Sequence, residues 1–207
     1  MRFPLWLRLA ATLFVAVFIV VHWQHDNLIN FLWLSDLGMF GAVAALWLRS
    51  RLLASMMLLA TALPDGVGWC LDFILGLLSG WHPLNATTYM FDARVPVIVR
   101  GLSLFHFLVP ALLVWMVHRL GYDRRALGAM TAFTVVLFCV SRAATDPARN
   151  INWVFGPGQP QSMVPGWVYL VAMMTAFPVM CYLPAHLILI RLRWDRRGAA
   201  PPGSARP

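Results

Sequence analysis

The sequence predicts an all-α membrane protein, a bundle of six transmembrane helices with both termini in the cytoplasm. Hydrophobic residues make up 60% of the 207 positions and charged residues 12%, a balance outside the range of soluble domains. The apolar residues fall into segments long enough to cross a bilayer. The basic residues are sixteen arginines, with neither lysine nor glutamate in the chain. Because the arginines stand at segment ends, they indicate membrane topology and not a nucleic-acid partner.

Six segments account for the predicted spans. The opening MRFPLWLRLAATLFVAVFIVVHW has no small-residue cleavage site after its apolar body, so we expect it to be retained as the first helix. The next spans are predicted at 27–48, 52–78, 101–120 and 126–141, and the sixth runs from 166 to the basic RLRWDRR. Residues 1–195 then form one transmembrane domain. Residues 196–207 are predicted to be a disordered, basic and proline-rich cytoplasmic tail.

Arginine placement predicts the orientation of the bundle. If the amino terminus is cytoplasmic, only Arg94, Arg100, Arg142 and Arg149 of the sixteen arginines lie outside, against twelve inside. This asymmetry follows the positive-inside rule. We therefore expect a multi-pass protein of the bacterial inner membrane, with the long connections 79–99 and 142–165 on the outside.

Three ionisable residues share one predicted depth in this topology. Asp36, Asp72 and His106 each lie roughly 10–14 Å below the outer helix ends, counted at 1.5 Å per residue. Lone carboxylates at that depth are costly, so we predict that the three side chains face one another in a pocket open to the outer leaflet. Ser35 adjoins Asp36, and Asn30 lies above it. A polar contact that only fixes helix packing is the alternative interpretation.

The third helix constrains which of its side chains face this pocket. Asp65, Trp69 and Asp72 are spaced i, i+4, i+7 and share one face, whereas Cys70 lies about 200° from Asp72. We expect Asp72 to face inward and Cys70 to face a neighbouring helix. Pro64, beside Asp65 near the centre of this segment, predicts a kink.

The connection SRAATDPARNINWVFGPGQPQ supplies candidate substrate-binding residues. Arg142 is suited to a lipid phosphate, although a snorkelling arginine is an equal alternative. Asn150 and Asn152 precede Trp153 and Phe155, aromatic residues typical of the membrane interface. With Asn30, these residues form the predicted substrate-binding set.

Histidines offer two further interpretations. His22, His25 and Asp26 form a weak candidate metal site, and we predict no resident metal or cofactor. The alternative is a haem-binding electron-transfer protein, with His22 paired to His106 on the outside and His118 paired to His186 on the inside. A non-catalytic lipid-binding or assembly subunit is the third class.

The second half of the chain resembles a known membrane family. FHFLVP at 105–110, the RLGYDRR turn, the fifth helix and NINWVFGPGQP at 150–160 resemble the YwaF-type integral membrane proteins, whose relatives include androgen-induced membrane lipid hydrolases. That resemblance implies an intramembrane histidine, here His106, partnering a threonine or cysteine nucleophile. No nucleophile matches by pattern; the early helices offer Ser35 and Cys70.

Together these features predict an intramembrane lipid acyl hydrolase or acyltransferase. His106 is the expected general base, Asp72 or Asp36 is its orienting carboxylate, and Ser35 is the nucleophile. Together they would form a catalytic triad whose members lie on transmembrane helices. The expected partners are membrane lipids. The further candidate partners are a second copy of the chain, in a homo-oligomer, and another membrane protein.

Overall fold

The computed structural model describes residues 3–25 and 28–196, and these are helical, with no strand among them. Its six main helices are α1 (Leu5–His25), α2 (Leu34–Leu48), α3 (Arg51–Ser79), α4 (Val97–Leu120), α5 (Ala126–Ala144) and α6 (Gly166–Arg191). All except α2 are long and apolar enough to cross a membrane, and α2 is a shorter apolar helix of 15 residues. The predicted all-α class and its apolar helices are confirmed. The predicted tail from 197 onward and Asp26 lie outside the described residues.

Turn chemistry sets the α2–α3 hairpin. Arg49 closes α2 in the left-handed conformation at φ 53°, and Ser50 then caps α3 by accepting a hydrogen bond from the Leu53 amide at 3.2 Å. At the other end of α2, residues 28–32 form a 3-10 turn, so this helix begins later than the predicted residue 27. Residues Arg49 and Ser50 thus connect α2 to α3 in a single tight turn.

Small residues let α2 and α3 pack closely. Gly38, Ala42 and Ala45 lie on one buried face of α2. A β-carbon at Gly38 would lie 2.5 Å from Thr61, which leaves no room for a larger residue unless the threonine shifts. Close approach through small residues is the usual packing of helices in a membrane. This contact holds the first half of α2 close to Thr61 of α3.

Three of the helices depart from regular geometry. Residues Pro64–Trp69 of α3 and Pro178–Tyr182 of α6 form π-helical turns, each beginning at a proline. In α4, Ser103 and Leu104 interrupt the helix, and the His106 amide donates to the Ser103 carbonyl three residues back. The disturbance predicted at Pro64 therefore takes the form of a π turn. Such turns occur frequently at functional sites.

One end of the bundle consists of residues 48–51, 120–126 and 191–196. We call it the arginine-rich end. The Arg51 guanidinium donates to the carbonyls of both Tyr122 and Asp195, which ties the last two of these segments to the start of α3. The Asp123 carboxylate pairs with Arg125 at 2.8 Å. Hydrogen bonds from Arg125 lower the pKa of Asp123. The opposite end carries the connections 80–96 and 145–165 and is called the long-connection end.

Candidate functional site

The centre of the candidate site is a pair formed by Asp65 and His106. Asp65 lies in the π turn of α3, and His106 lies in the first turn of α4 after the break at Ser103 and Leu104. Their Oδ1 and Nδ1 atoms are 3.3 Å apart, and the two residues are 6% and 9% exposed. This distance is within the range of an ion pair, but the two groups are too poorly aligned to form a hydrogen bond. Hydrogen bonds in unliganded catalytic sites are often poorly aligned in this way.

Aromatic rings fix the plane of the His106 imidazole. The Trp69 ring stacks against it at 4.6 Å between centroids and 14° between planes, and the Phe105 ring lies at 4.1 Å and 25°. Phe107 meets Trp69 edge to face at 5.5 Å. Aromatic contacts of this kind restrict rotation of the imidazole. Its Nδ1 is thereby held toward Asp65.

Three buried polar atoms in this cluster have no hydrogen-bond partner among the described residues. They are Asp65 Oδ2, Trp69 Nε1 and His106 Nδ1. An unsatisfied buried polar atom costs about 1–3 kcal/mol, so three on neighbouring residues are an expensive arrangement for a packing role alone. Groups of this kind call for an explanation such as catalysis or ligand binding.

Tyr89 reaches this cluster from the connection 80–96. Its hydroxyl interacts with Ser103 and approaches Trp69 without satisfying the indole N–H, and the charges of Asp36 and Asp65 act on it. Burial raises the pKa of Tyr89 to about 12, so the hydroxyl stays protonated. Asp36 is also buried, at 7% exposed. Its place in one pocket with His106 stays a prediction.

Asp72 is not the carboxylate beside His106, contrary to the sequence prediction. It is fully buried and accepts hydrogen bonds from the amides of Leu84, Ala86 and Thr87 at 2.7, 3.1 and 2.9 Å. The Thr87 hydroxyl donates a fourth at 2.6 Å. The connection 80–96 folds back over the end of α3, and this satisfies Asp72 without a partner from α4. Its role is to hold that connection in place.

Cys70 and Ser35 were the two candidate nucleophiles. Cys70 Sγ lies 3.7 Å from the His106 carbonyl, so it faces α4 as predicted but contacts backbone and not the imidazole. Ser35 is half-buried in the first turn of α2, next to Asp36. Neighbouring positions on a helix point about 100° apart. Ser35 therefore faces a different direction from Asp36.

Asn150 and Asn152 were predicted to bind substrate, and the structure uses both side chains internally. Asn152 accepts from the Leu34 amide at 2.8 Å and donates to the Leu32 carbonyl at 2.8 Å and the Ser141 hydroxyl at 3.0 Å. Asn150 bonds the backbone of Phe155 and Gly156 at 3.0 and 2.8 Å. Both adopt the left-handed conformation, which asparagine tolerates. Each side chain therefore organises the connection instead of presenting its amide to a ligand.

Arg142 and Asn30 also lie away from the His106 cluster. The Arg142 guanidinium lies 4.1 Å from the centre of the Phe155 ring and packs against Gly166 at the start of α6. A cation over an aromatic ring is a stabilising contact, which favours a structural role for Arg142. Asn30 accepts a hydrogen bond from Arg149 at 3.1 Å near the surface.

The four histidines proposed as haem ligands contact aromatic side chains in the structure. His22 stacks on Phe18 at 3.8 Å, Phe18 meets Phe105 at 5.4 Å, and Phe105 stacks on His106. Two phenyl rings thus form a chain of ring contacts between the imidazoles of His22 and His106. His186 Nδ1 lies 2.6 Å from the Tyr122 hydroxyl, and His118 meets Trp194 edge to face. Within 3–25 and 28–196, no group of three His, Cys, Asp or Glu side chains is placed to hold a metal.

Sequence reasoning singled out His106 but did not assign Asp65, Trp69 or Tyr89 to its surroundings. The i, i+4 spacing of Asp65 and Trp69 did place them on one face, which is the face that meets His106. Nothing in the sequence assigned Tyr89 to this cluster. Its position depends on how the connection 80–96 folds.

Comparison with protein-family models, curated proteins and solved structures finds no match to this chain. The resemblance to the YwaF-type proteins and membrane lipid hydrolases stays a prediction. The site is therefore interpreted from its own geometry.

Proposed function

We propose that this protein acts on membrane lipids by acid–base chemistry, as an acyl hydrolase or acyltransferase, with His106 as general base. The observation that carries the proposal is the buried Asp65–His106 pair, whose imidazole is stacked between aromatic rings and whose polar atoms are not fully satisfied. A buried carboxylate and imidazole in contact are the parts that general-base catalysis requires.

Asp65 takes the role that the sequence assigned to Asp72. With Nδ1 of His106 directed at Asp65, a proton on that nitrogen leaves Nε2 as the atom that accepts a proton from a nucleophile. The carboxylate then stabilises the imidazolium that forms. Ser35 is the candidate nucleophile, and a water molecule activated by His106 is the other source of the attacking oxygen.

We infer that the long-connection end faces the outside and that both termini are cytoplasmic. The arginine-rich end carries Arg49, Arg51, Arg119, Arg124 and Arg125, the charges that the positive-inside rule places in the cytoplasm. The bacterial inner membrane is the proposed location. Reporter fusions after Arg124 should report the cytoplasm and a fusion at Ala86 the exterior. A cytoplasmic report at Ala86 would reverse the proposed leaflet.

The catalytic proposal is tested with fluorogenic ester lipids and purified protein in proteoliposomes. Loss of a general base lowers turnover by about 10²–10⁴-fold, so His106→Ala and Asp65→Asn should both be severely impaired. His118→Ala is the matched control, because His118 is an exposed histidine at the opposite end of α4. Full turnover by the His106→Ala protein would eliminate the proposal.

The nucleophile is tested separately with a fluorophosphonate probe. An adduct on Ser35 that disappears in Ser35→Ala and in His106→Ala would identify the acyl-enzyme residue. Activity that depends on His106 without any adduct would indicate activated water. A protein without turnover that still co-purifies with lipid would belong to the binding class, and a Soret band would indicate haem.

A further inference from the structure

A groove of about 720 Å³ opens at the long-connection end, between the end of α1 and the connection 145–165. One wall comes from Trp23, His25, Leu28 and Trp33, and the other includes Arg149. The Asp65–His106 pair is not part of its lining. The groove therefore needs an explanation of its own.

The two walls of this groove are held together by Asn152. Its side chain bonds the backbone of Leu32 and Leu34 on one side, at 2.8 Å each, while its own backbone belongs to the connection that carries Arg149. Asn152 is 8% exposed, so these bonds are shielded from solvent. The groove is consequently a preformed feature of the fold.

Arg149 gives the groove an oriented positive charge. Its Nη1 donates to the Asn30 side-chain oxygen at 3.1 Å, the one hydrogen bond of this guanidinium to any residue in the described part of the chain. A neutral partner positions the guanidinium without neutralising it. The remaining N–H groups form the planar fork that binds phosphate oxygens in pairs.

The surroundings of Arg149 favour a lipid over a soluble anion. Trp23 is 59% exposed and Leu28 51% exposed, so the groove offers aromatic and apolar surface beside the charge. Tryptophan is typical of the membrane interface, where headgroups lie. An exposed apolar stripe of α1, including Leu13 and Val20, leads along the helix toward Trp23. When the phosphate of a lipid contacts Arg149, its acyl chains can pack along this apolar stripe of α1.

We propose that this groove binds the phosphate of a glycerophospholipid, with Arg149 as the phosphate ligand and Asn30 as the residue that orients it. This site is independent of catalysis at His106. It assigns to Arg149 the phosphate role that the sequence suggested for Arg142.

The test measures binding of a short-chain, ether-linked phosphatidylglycerol to detergent-purified protein by native mass spectrometry. The ether lipid contains no ester, so hydrolysis does not interfere, and His106→Ala should bind as well as the unmodified protein. Arg149→Ala should weaken binding about ten-fold or more, the equivalent of one charge-assisted hydrogen bond. Arg149→Lys should fall in between, because lysine keeps the charge but lacks the fork.

Arg94→Ala is the matched control, since Arg94 is an exposed arginine of the other long connection with a side chain 90% exposed. Equal weakening by Arg94→Ala and Arg149→Ala would overturn the site. Equal binding of the phosphate-free ether glyceride would show an apolar site, and displacement by inorganic phosphate alone would show a site for soluble anions. Both results contradict the proposal. Because Arg149 is exposed, its substitution leaves the core intact, which size-exclusion chromatography checks.

Discussion

Asp65 and Asp72 are two buried carboxylates on one helix, seven residues apart, and they differ in how far their hydrogen-bonding capacity is used. Asp72 accepts four hydrogen bonds from the connection 80–96. Asp65 has the His106 imidazole near one oxygen, while the other has no hydrogen-bond partner in the described part of the chain. A satisfied buried carboxylate stabilises a fold, whereas an unsatisfied one costs stability and calls for another explanation, such as catalysis or ligand binding. The comparison indicates a structural role for Asp72 and underlies the proposal of a catalytic role for Asp65.

The largest stability effect is expected from Asp72→Ala. Three backbone amides and the Thr87 hydroxyl lose their acceptor, which costs about 3 kcal/mol or more at 1–3 kcal/mol for each buried donor. For a protein of this size, the melting temperature should fall by about 6 °C or more. Thermal unfolding in detergent measures this. A melting temperature within 1 °C or so of the unmodified protein would contradict the structural role assigned to Asp72.

Asn152→Ala extends the comparison to the second long connection and should be somewhat milder. The substitution removes three hydrogen bonds and places alanine at φ 54°, so we expect a loss of about 2–3 kcal/mol. Asn152→Gly separates the two causes, because glycine tolerates this φ but lacks the amide. If the glycine variant is as stable as the unmodified protein, the hydrogen bonds of Asn152 contribute nothing measurable.

Asp65→Asn should change stability by about 1 kcal/mol at most, in either direction. The substitution replaces a buried carboxylate that is not fully satisfied by an amide of nearly the same size, so the packing is little changed. Activity should nevertheless fall severely, as proposed above. Parallel measurements of melting temperature and lipid turnover test this. A large destabilisation of the kind expected for Asp72→Ala would place Asp65 among the structural residues.

The smallest effect is expected from Asp123→Asn at the arginine-rich end. Hydrogen bonds from Arg125 lower the pKa of Asp123, so the charged carboxylate stabilises the folded state. That stabilisation is complete above about pH 5 and is lost as the pH falls below the ordinary aspartate value of about 3.9 and through the lowered pKa. At pH 7 the variant should melt about 1–2 °C lower, as for a partly exposed ion pair. A difference that persists at pH 2 would have another origin.

Much of the fold could be predicted because hydropathy and arginine placement depend on the membrane and not on tertiary detail. The predicted segments 52–78 and 126–141 correspond to α3 (Arg51–Ser79) and α5 (Ala126–Ala144). The segment 27–48 was less accurate, because a 3-10 turn replaces helix at 28–32 and α2 begins at Leu34. Asn152 bonds to Leu32 and Leu34 at that point, and no local pattern encodes a contact over more than one hundred residues.

The site was predicted only in part. Depth counting singled out His106, which the structure places in a buried pair with a carboxylate of α3. It chose Asp72 over Asp65 because Asp72, seven residues from the outer end of its segment, matched the counted depth of His106, whereas Asp65 lies near the centre of the segment. The π turn and the returning connection 80–96 together direct Asp72 to amides and Asp65 to His106. Neither the irregular turn nor the path of the connection follows from hydrophobic periodicity.

The π turn at Pro64–Trp69 also sets the phase of α3 beyond it. Such a turn contains about one residue more than an α-helical turn, and each residue advances a helix by about 100°. In an uninterrupted α-helix of the same sequence, Asp72 would point about 100° away from its observed direction relative to Asp65, and so away from the 84–87 amides. One extra residue therefore allows a single helix to serve two partners whose directions differ.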